Sequence, residues 1–212
     1  MSGGRLTLDD IADARAYERE RDEFRRYIIE LKKRRRIGVG PVISLVFENR
    51  DTIRFQIQEM ARAERLLSDE AIQVELDTYN PLIPAPGQLS ATMYIELTDR
   101  SEMEHWLPRL VGIERAVQLE ITTPADHGSG PDVIPCVVDE AHAANLTREE
   151  VTAAVHFVRF ELTPAQVEEF RTGRVVLATD HPQYRERTEI EPESRNSLLG
   201  DLTGWIRGPQ LG

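Results

Sequence analysis

Gly38-Val39-Gly40-Pro41, Val42-Ile43-Ser44-Leu45-Val46-Phe47-Glu48, Asn49-Arg50-Asp51-Thr52 and Ile53-Arg54-Phe55-Gln56-Ile57-Gln58-Glu59-Met60 follow one another without a break. In that order they spell turn, strand, cap and helix. Two glycines and a proline stop whatever precedes them. Ile43, Leu45 and Phe47 fall on one strand face, with Ser44 and Glu48 on the other. Asn49 or Asp51 then offers a side-chain oxygen to the free N–H groups that open a helix. The helix is expected to bury Ile53, Ile57, Met60, Ala61 and Glu64, with Arg54, Gln58, Arg62 and Arg65 opposite. This stretch ties a charged helix upstream to a sheet-based core downstream.

Upstream, Thr7 can cap a short turn through Asp10. A long helix is expected from about Asp13 to Arg35, since Tyr17, Phe24, Ile28 and Leu31 recur at spacings of seven, four and three. One narrow apolar stripe suits a helix lying across a sheet or against a partner chain, a second copy included. Gly38, Gly40 and Pro41 are expected to end it. Downstream, Ser68 caps a helix carrying Ile72, Leu76 and Tyr79 that stops at Asn80-Pro81. Residues 82–87 hold two prolines and form an extended loop. Alternation predicts strands at 90–97, 117–121 and 154–162, the last with His156, Val158 and Phe160 on one face. A buried strand follows at 175–178. Residues 133–138 read as an edge strand, because Pro135 cannot donate to a central ladder. Ser101 with Glu104, Thr147 with Glu150, and Thr163 with Gln166 have capping-box spacing. A last helix covers about 192–202. Period-two strands with few regular crossover helices give an α+β fold. Its sheet is antiparallel or mixed, with helices mainly on one face and the long charged helix in front. The divisions expected are a helical segment at 1–36, a core at 37–204 and a loose tail at 205–212.

The formal net charge is −11, unevenly spread: residues 1–36 carry +3 and the remainder −14. An acidic body repels nucleic acid, while its basic end can grip an anionic partner. Lys32-Lys33-Arg34-Arg35-Arg36 is either that grip or an ordinary complement to a helix C-terminus. No apolar run approaches the roughly 20 residues of a bilayer span, and acidic Asp9 and Asp10 do not suit a leader peptide. One cysteine, Cys136, excludes an intrachain disulfide and all-cysteine metal sites. A cytoplasmic protein without a membrane partner is expected, and no cofactor is implied.

The blocks Phe47 to Thr52, Phe55 to Met60 with Arg62 to Glu64, Glu75 to Pro84, Leu110 to Glu114, Val155 to Phe160 and Asp180 to Tyr184 resemble a bacterial family, domain of unknown function 3501. The likeness runs from about Leu6 to Leu202. The family has no assigned catalytic residues. Its members are often encoded beside rubrerythrin-like di-iron proteins and iron–sulfur oxidoreductase subunits. The resemblance therefore implies a redox or peroxide-stress setting and a protein partner of that kind, without assigning a reaction.

Candidate chemistry is sparse. Glu102-x-x-His105 has the spacing of a di-iron ligand pair, but the second pair and the long helices are missing. His156 on a strand face and His181 beyond another strand could share a pocket with Asp180 or Glu59 and bind a metal or act as acid and base. The plainer alternative is a core histidine satisfied by one hydrogen bond and a turn histidine held by Asp180. Arg54, Glu59, Arg62 and Glu64 could orient an anion. More commonly such residues form a salt-bridge lattice locking helix to neighbour. Asp139-Glu140-Ala141-His142 is spelled like a helicase box but has no phosphate-binding loop. Cys136, beside Val137 and Val138, reads as inert. The favoured expectation is a non-catalytic accessory protein that binds its partner through Arg25, Arg26, Lys32, Lys33, Arg54 and Arg62. The alternatives are a small enzyme built on His156, His181 and Glu59, or an anion binder using Lys32 to Arg36.

Overall fold

The computed structural model describes residues 4–123, 130–138 and 151–204. Thr147, Glu150, the 139–142 stretch and the 205–212 tail lie outside them. The long helix α1 spans Ala14–Arg35, with Asp13 as its cap, and runs directly into strand β1, Arg36–Val39. Strand β2 covers Ile43–Glu48 and helix α2 covers Arg50–Glu64. Next come α3 (Asp69–Tyr79), β3 (Gln88–Ile95), α4 (Arg100–Trp106) and β4 (Val117–Thr122). Strands β5 (Asp132–Pro135), β6 (Val137–Val138) and β7 (Val155–Glu161) precede α5 (Pro164–Thr172). The chain closes with β8 (Arg174–Thr179), β9 (Arg187–Glu189) and α6 (Pro192–Leu202).

The class is α+β and all the described strand pairs are antiparallel. There are two sheets, ordered β1-β2-β3-β7-β6 and β5-β4-β8-β9. They enclose one core. Leu45, Phe47, Met93 and Phe160 come from the first sheet, Leu119, Ile121 and Leu177 from the second, and Phe170 and Leu198 from the last two helices. One edge is closed by the chain itself. Pro135 pairs with Gln118 in the second sheet, and two residues later Val137 pairs with Arg159 in the first. At another point Tyr184 joins the sheets. Its hydroxyl donates to the Val39 carbonyl at 2.6 Å and accepts from the Val42 amide at 3.2 Å. The β1–β2 turn comes so close there that a Cβ at Gly40, which has φ +69°, would strike the Tyr184 hydroxyl and the Glu186 side chain.

The outer face of β2 and β3 is polar yet buried: Ser44, Glu48, Ser90 and Thr92 lie there. Helix α1 packs against β2, α2 lies beside α1, and every residue of β2 is buried. Several expectations shift. Gly38 lies inside β1 and does not end the helix, because Arg36, Ile37, Gly38 and Val39 alternate out and in. The edge strand at 133–138 is two short strands parted at Cys136, and β9 carries no apolar run to announce it. Asp99, not Ser101, caps α4 through the Glu102 amide. Gln58 is buried, because its amide group bonds both the N–H and the carbonyl of Ala12.

Arg35, 1% exposed, ties these parts together. Its guanidinium donates to the carbonyls of Phe47 at 2.8 Å and Glu48 at 3.1 Å, to Ser197 Oγ at 3.2 Å, and to the Asp201 carboxylate. One side chain thus joins α1, the end of β2 and α6. Arg35→Met should cost about 3–5 kcal/mol in urea unfolding, because Asp201 is left as a buried, unpaired charge. Arg35→Met/Asp201→Leu removes that charge but leaves the Phe47 and Glu48 carbonyls without donors. It should remain about 1–3 kcal/mol less stable than wild type. A double variant matching wild type would show that those two bonds contribute nothing.

Candidate functional site

Glu59 and the two histidines do not form a cluster. Glu59 sits on α2 facing α1, where it accepts from the Tyr17 hydroxyl at 2.7 Å and from Arg21 through two bonds of 2.8 Å. The Arg21 hydrogen bonds hold its carboxyl below the usual range, and burial beside it pushes the Tyr17 hydroxyl up. It belongs to a lattice between the N-terminal region and α2. Arg54 bonds the Asp10 carbonyl and Glu20 and stacks 5.0 Å from the Phe24 ring centre. Arg62 meets Glu18, and Arg50 meets Asp10. Arg54 and Arg62 are thus each met by an acid of α1 within the molecule.

His156 is 1% exposed on β7. Its Nε2 lies 2.9 Å from both the Thr152 hydroxyl and the Ala153 carbonyl, and its Nδ1 is buried without a partner. The carbonyl can only accept, so the proton sits on Nε2. His181 uses both ring nitrogens: Nε2 donates to the Val111 carbonyl at 3.1 Å and Nδ1 accepts from the Gln183 amide at 3.2 Å. Asp180 bonds Arg185 instead of His181. Glu102 is taken up by the Thr98 amide and hydroxyl, and His105 is exposed. Among the described residues no group of three or more His, Cys, Asp or Glu side chains is placed to hold a metal. Cys136 donates to the Glu114 carbonyl at 3.0 Å, and burial pushes its thiol up to about 11, so thiolate is scarce at neutral pH.

What α1 leaves open is its outer side. Tyr17, Phe24, Ile28 and Leu31 are buried, as the stripe predicts. Off the stripe, Ile29 is 40% exposed and lies in a shallow hollow of about 530 Å³ with Arg25, Lys32, Lys33, Arg36 and Phe55. Lys33 pairs with exposed Glu30, and Arg36 with Ser44 and Glu96. Arg25, Arg26 and Lys32 have no ion pair among the described residues. The parts of this hollow that sequence reasoning missed are Ile29 and Phe55. An apolar residue outside the helical stripe was the available signal. A second hollow, of about 400 Å³, lies between the start of α1 and the α2–α3 turn. Its charged residues, Asp13, Glu18, Arg62 and Asp69 among them, are of both signs and select no partner charge.

No helix among the described residues is long and apolar enough to cross a membrane. The model of a family described as "Protein of unknown function (DUF3501)" matches residues 5–202. A crystal structure of a novel protein of unknown function from Burkholderia pseudomallei K96243 is similar, with TM-score 0.82 and 36% identity over 93% of this chain and 98% of that one. No curated protein matches.

Burial lowers the His156 pKa below its ordinary 6.5, although the nearby charge of Glu114 opposes the shift. The folded form therefore binds fewer protons than the unfolded chain below about pH 6.5, and stability should fall as the pH drops through that window. The slope from this group is at most about 1.4 kcal/mol per pH unit. His156→Gln should unfold with a shallower dependence between pH 6.5 and 5. Parallel profiles for variant and wild type would show that His156 does not titrate this way.

Proposed function

The chain belongs to the DUF3501 family, and we propose that it is a non-catalytic accessory protein that docks an acidic protein partner on the outer side of α1. The observation that carries this reading is the company of Ile29 in the shallow hollow. An exposed apolar side chain is flanked by Arg25, Lys32, Lys33 and Arg36, on a molecule of net charge −11. A small basic and apolar patch on an acidic body steers an acidic partner to one orientation and repels it elsewhere. The redox or peroxide-stress setting, with an iron–sulfur or rubrerythrin-like partner, rests on the family association. A cytoplasmic location accords with the lone cysteine.

The acid–base alternative has less support, because Glu59 and both ring nitrogens of His181 are engaged in hydrogen bonds within the protein. The anion-binding strip at Lys32 to Arg36 is broken up. Arg35 is buried, Arg36 is shared with Ser44 and Glu96, and Arg34 lies 3.9 Å from Glu193.

The test is co-purification with the rubrerythrin-like or iron–sulfur protein of the same host, co-expressed one at a time. Association is expected with one of them and should weaken as salt rises. It should drop at least about tenfold in Arg25→Glu/Lys33→Glu, which leaves Lys32 in place. Absence of association with either protein, or association indifferent to the charge reversal, would refute this reading.

A further inference from the structure

Beneath α2 the polar outer face of the first sheet encloses space. A cavity of about 240 Å³ lies between α2, α3 and strands β2, β3 and β7, and Lys32 of α1 also lines it. Glu48, the last residue of β2, is 5% exposed and lines its wall. One carboxylate oxygen accepts from the Thr92 hydroxyl at 2.7 Å, and the other has no donor among the described residues. No cation is paired with it among the described residues. Arg35 bonds the Glu48 backbone carbonyl, but its ion pair is with Asp201. A carboxylate with one neutral donor and no cation beside it among the described residues can take a cationic partner.

The remaining walls narrow the chemistry. Lys32 brings an ammonium without an ion pair among the described residues. Gln56 and Tyr79 bring polar groups that bond no described residue. Tyr94 stays protonated, because burial and the Glu48 charge both push its hydroxyl up, so it can donate. Ile53, Leu82 and Val155 supply an apolar side. The volume is below the roughly 300–1,000 Å³ of sites that take drug-sized ligands, which sets nucleotides and flavins aside.

We propose that this cavity binds a small zwitterion of the amino-acid type. Its ammonium meets Glu48, its carboxylate meets Lys32, and a short apolar side chain lies against Ile53, Leu82 and Val155. Each pole of such a molecule meets an unpaired charge of the opposite sign, and its apolar part meets the apolar wall. The assignment does not rest on docking at α1, and Arg25 and Lys33 take no part in it.

The experiment is ligand-detected NMR and titration calorimetry on the full chain. The probes are free valine, leucine and methionine, with the matching amines and carboxylic acids, each lacking one pole, as controls. At least one amino acid should bind more tightly than both of its one-pole controls. Glu48→Gln keeps the shape and the Thr92 contact but removes the charge, and should weaken binding at least about tenfold. Lys32→Met, on the partly exposed rim, should weaken the amino acid while leaving the matching amine unchanged. If Glu48→Gln does not fold, Lys32→Met decides alone. No binding to wild type, or binding indifferent to the variant that folds, overturns the proposal.

Discussion

A guanidinium almost wholly removed from water sits where three parts of this protein meet. Arg35 ends α1, bonds the last two carbonyls of β2, and reaches Asp201 on α6. Burying a charge of this kind is costly, and it is tolerated only where nearly every donor finds an acceptor with good geometry. Those acceptors come from residues 12 to 166 positions away in sequence. The bond set is therefore complete only when the helix, the first sheet and the C-terminal helix are in place together. The same contact fixes the backbone of Glu48, from which α2 starts through its Asn49 cap. The route from the long helix to the polar cavity passes through one residue.

Local signals reached about as far as local causes do. Asn49, Ser68 and Thr163 act as caps because capping needs only an oxygen two or three residues from an unpaired amide. The α1 stripe and the inward faces of β2, β3 and β7 follow from periodicity, since each has a dry side. The second sheet was harder to see as a sheet. Its strands read correctly one at a time, but nothing local says that β4 pairs with β8 instead of joining β3. That is settled by two features remote in sequence, the crossing at Cys136 and the Tyr184 bond to the β1–β2 turn. Strand β1 was hidden by its charge. Arg36 looks like the end of a basic helix terminus, yet it is the exposed first residue of an extended edge.

Charged residues were the least legible, and for one reason. A sequence gives the sign of a side chain but not whether it has found a partner. Arg54 and Arg62 were indistinguishable from Arg25 and Arg26 until Glu20 and Glu18 proved to stand opposite them across the α1–α2 contact. Glu59 was singled out as the acid of a possible site and is a carboxylate of that lattice held by three hydrogen bonds. Glu48 was assigned only to the polar face of a strand, and it is a buried carboxylate held through one oxygen by Thr92. The text from Phe47 to Thr52 marked the right region without saying which residue in it mattered.

Partnerless charges carry more weight in this molecule because acids are plentiful. The chain holds 37 Asp and Glu against 26 Lys and Arg, so a nearby carboxylate could have neutralised almost any surface cation at little structural cost. Around α1 this has happened repeatedly: Arg21, Arg34, Lys33 and Arg36 each have an acid within reach. Among the described residues Lys32 does not, although it lies one turn from Arg36 and within the same hollow as Lys33. It is also the α1 residue that lines both the outer hollow and the cavity holding Glu48. Pairing Lys32 with a nearby acid on the outside would have sealed that mouth with a salt bridge, and pairing it with Glu48 inside would have used up both charges at once. The fold does neither. Lys32 and Glu48 instead line the same space without an ion pair between them, with Arg35 and Thr92 fixing Glu48 while α1 carries Lys32.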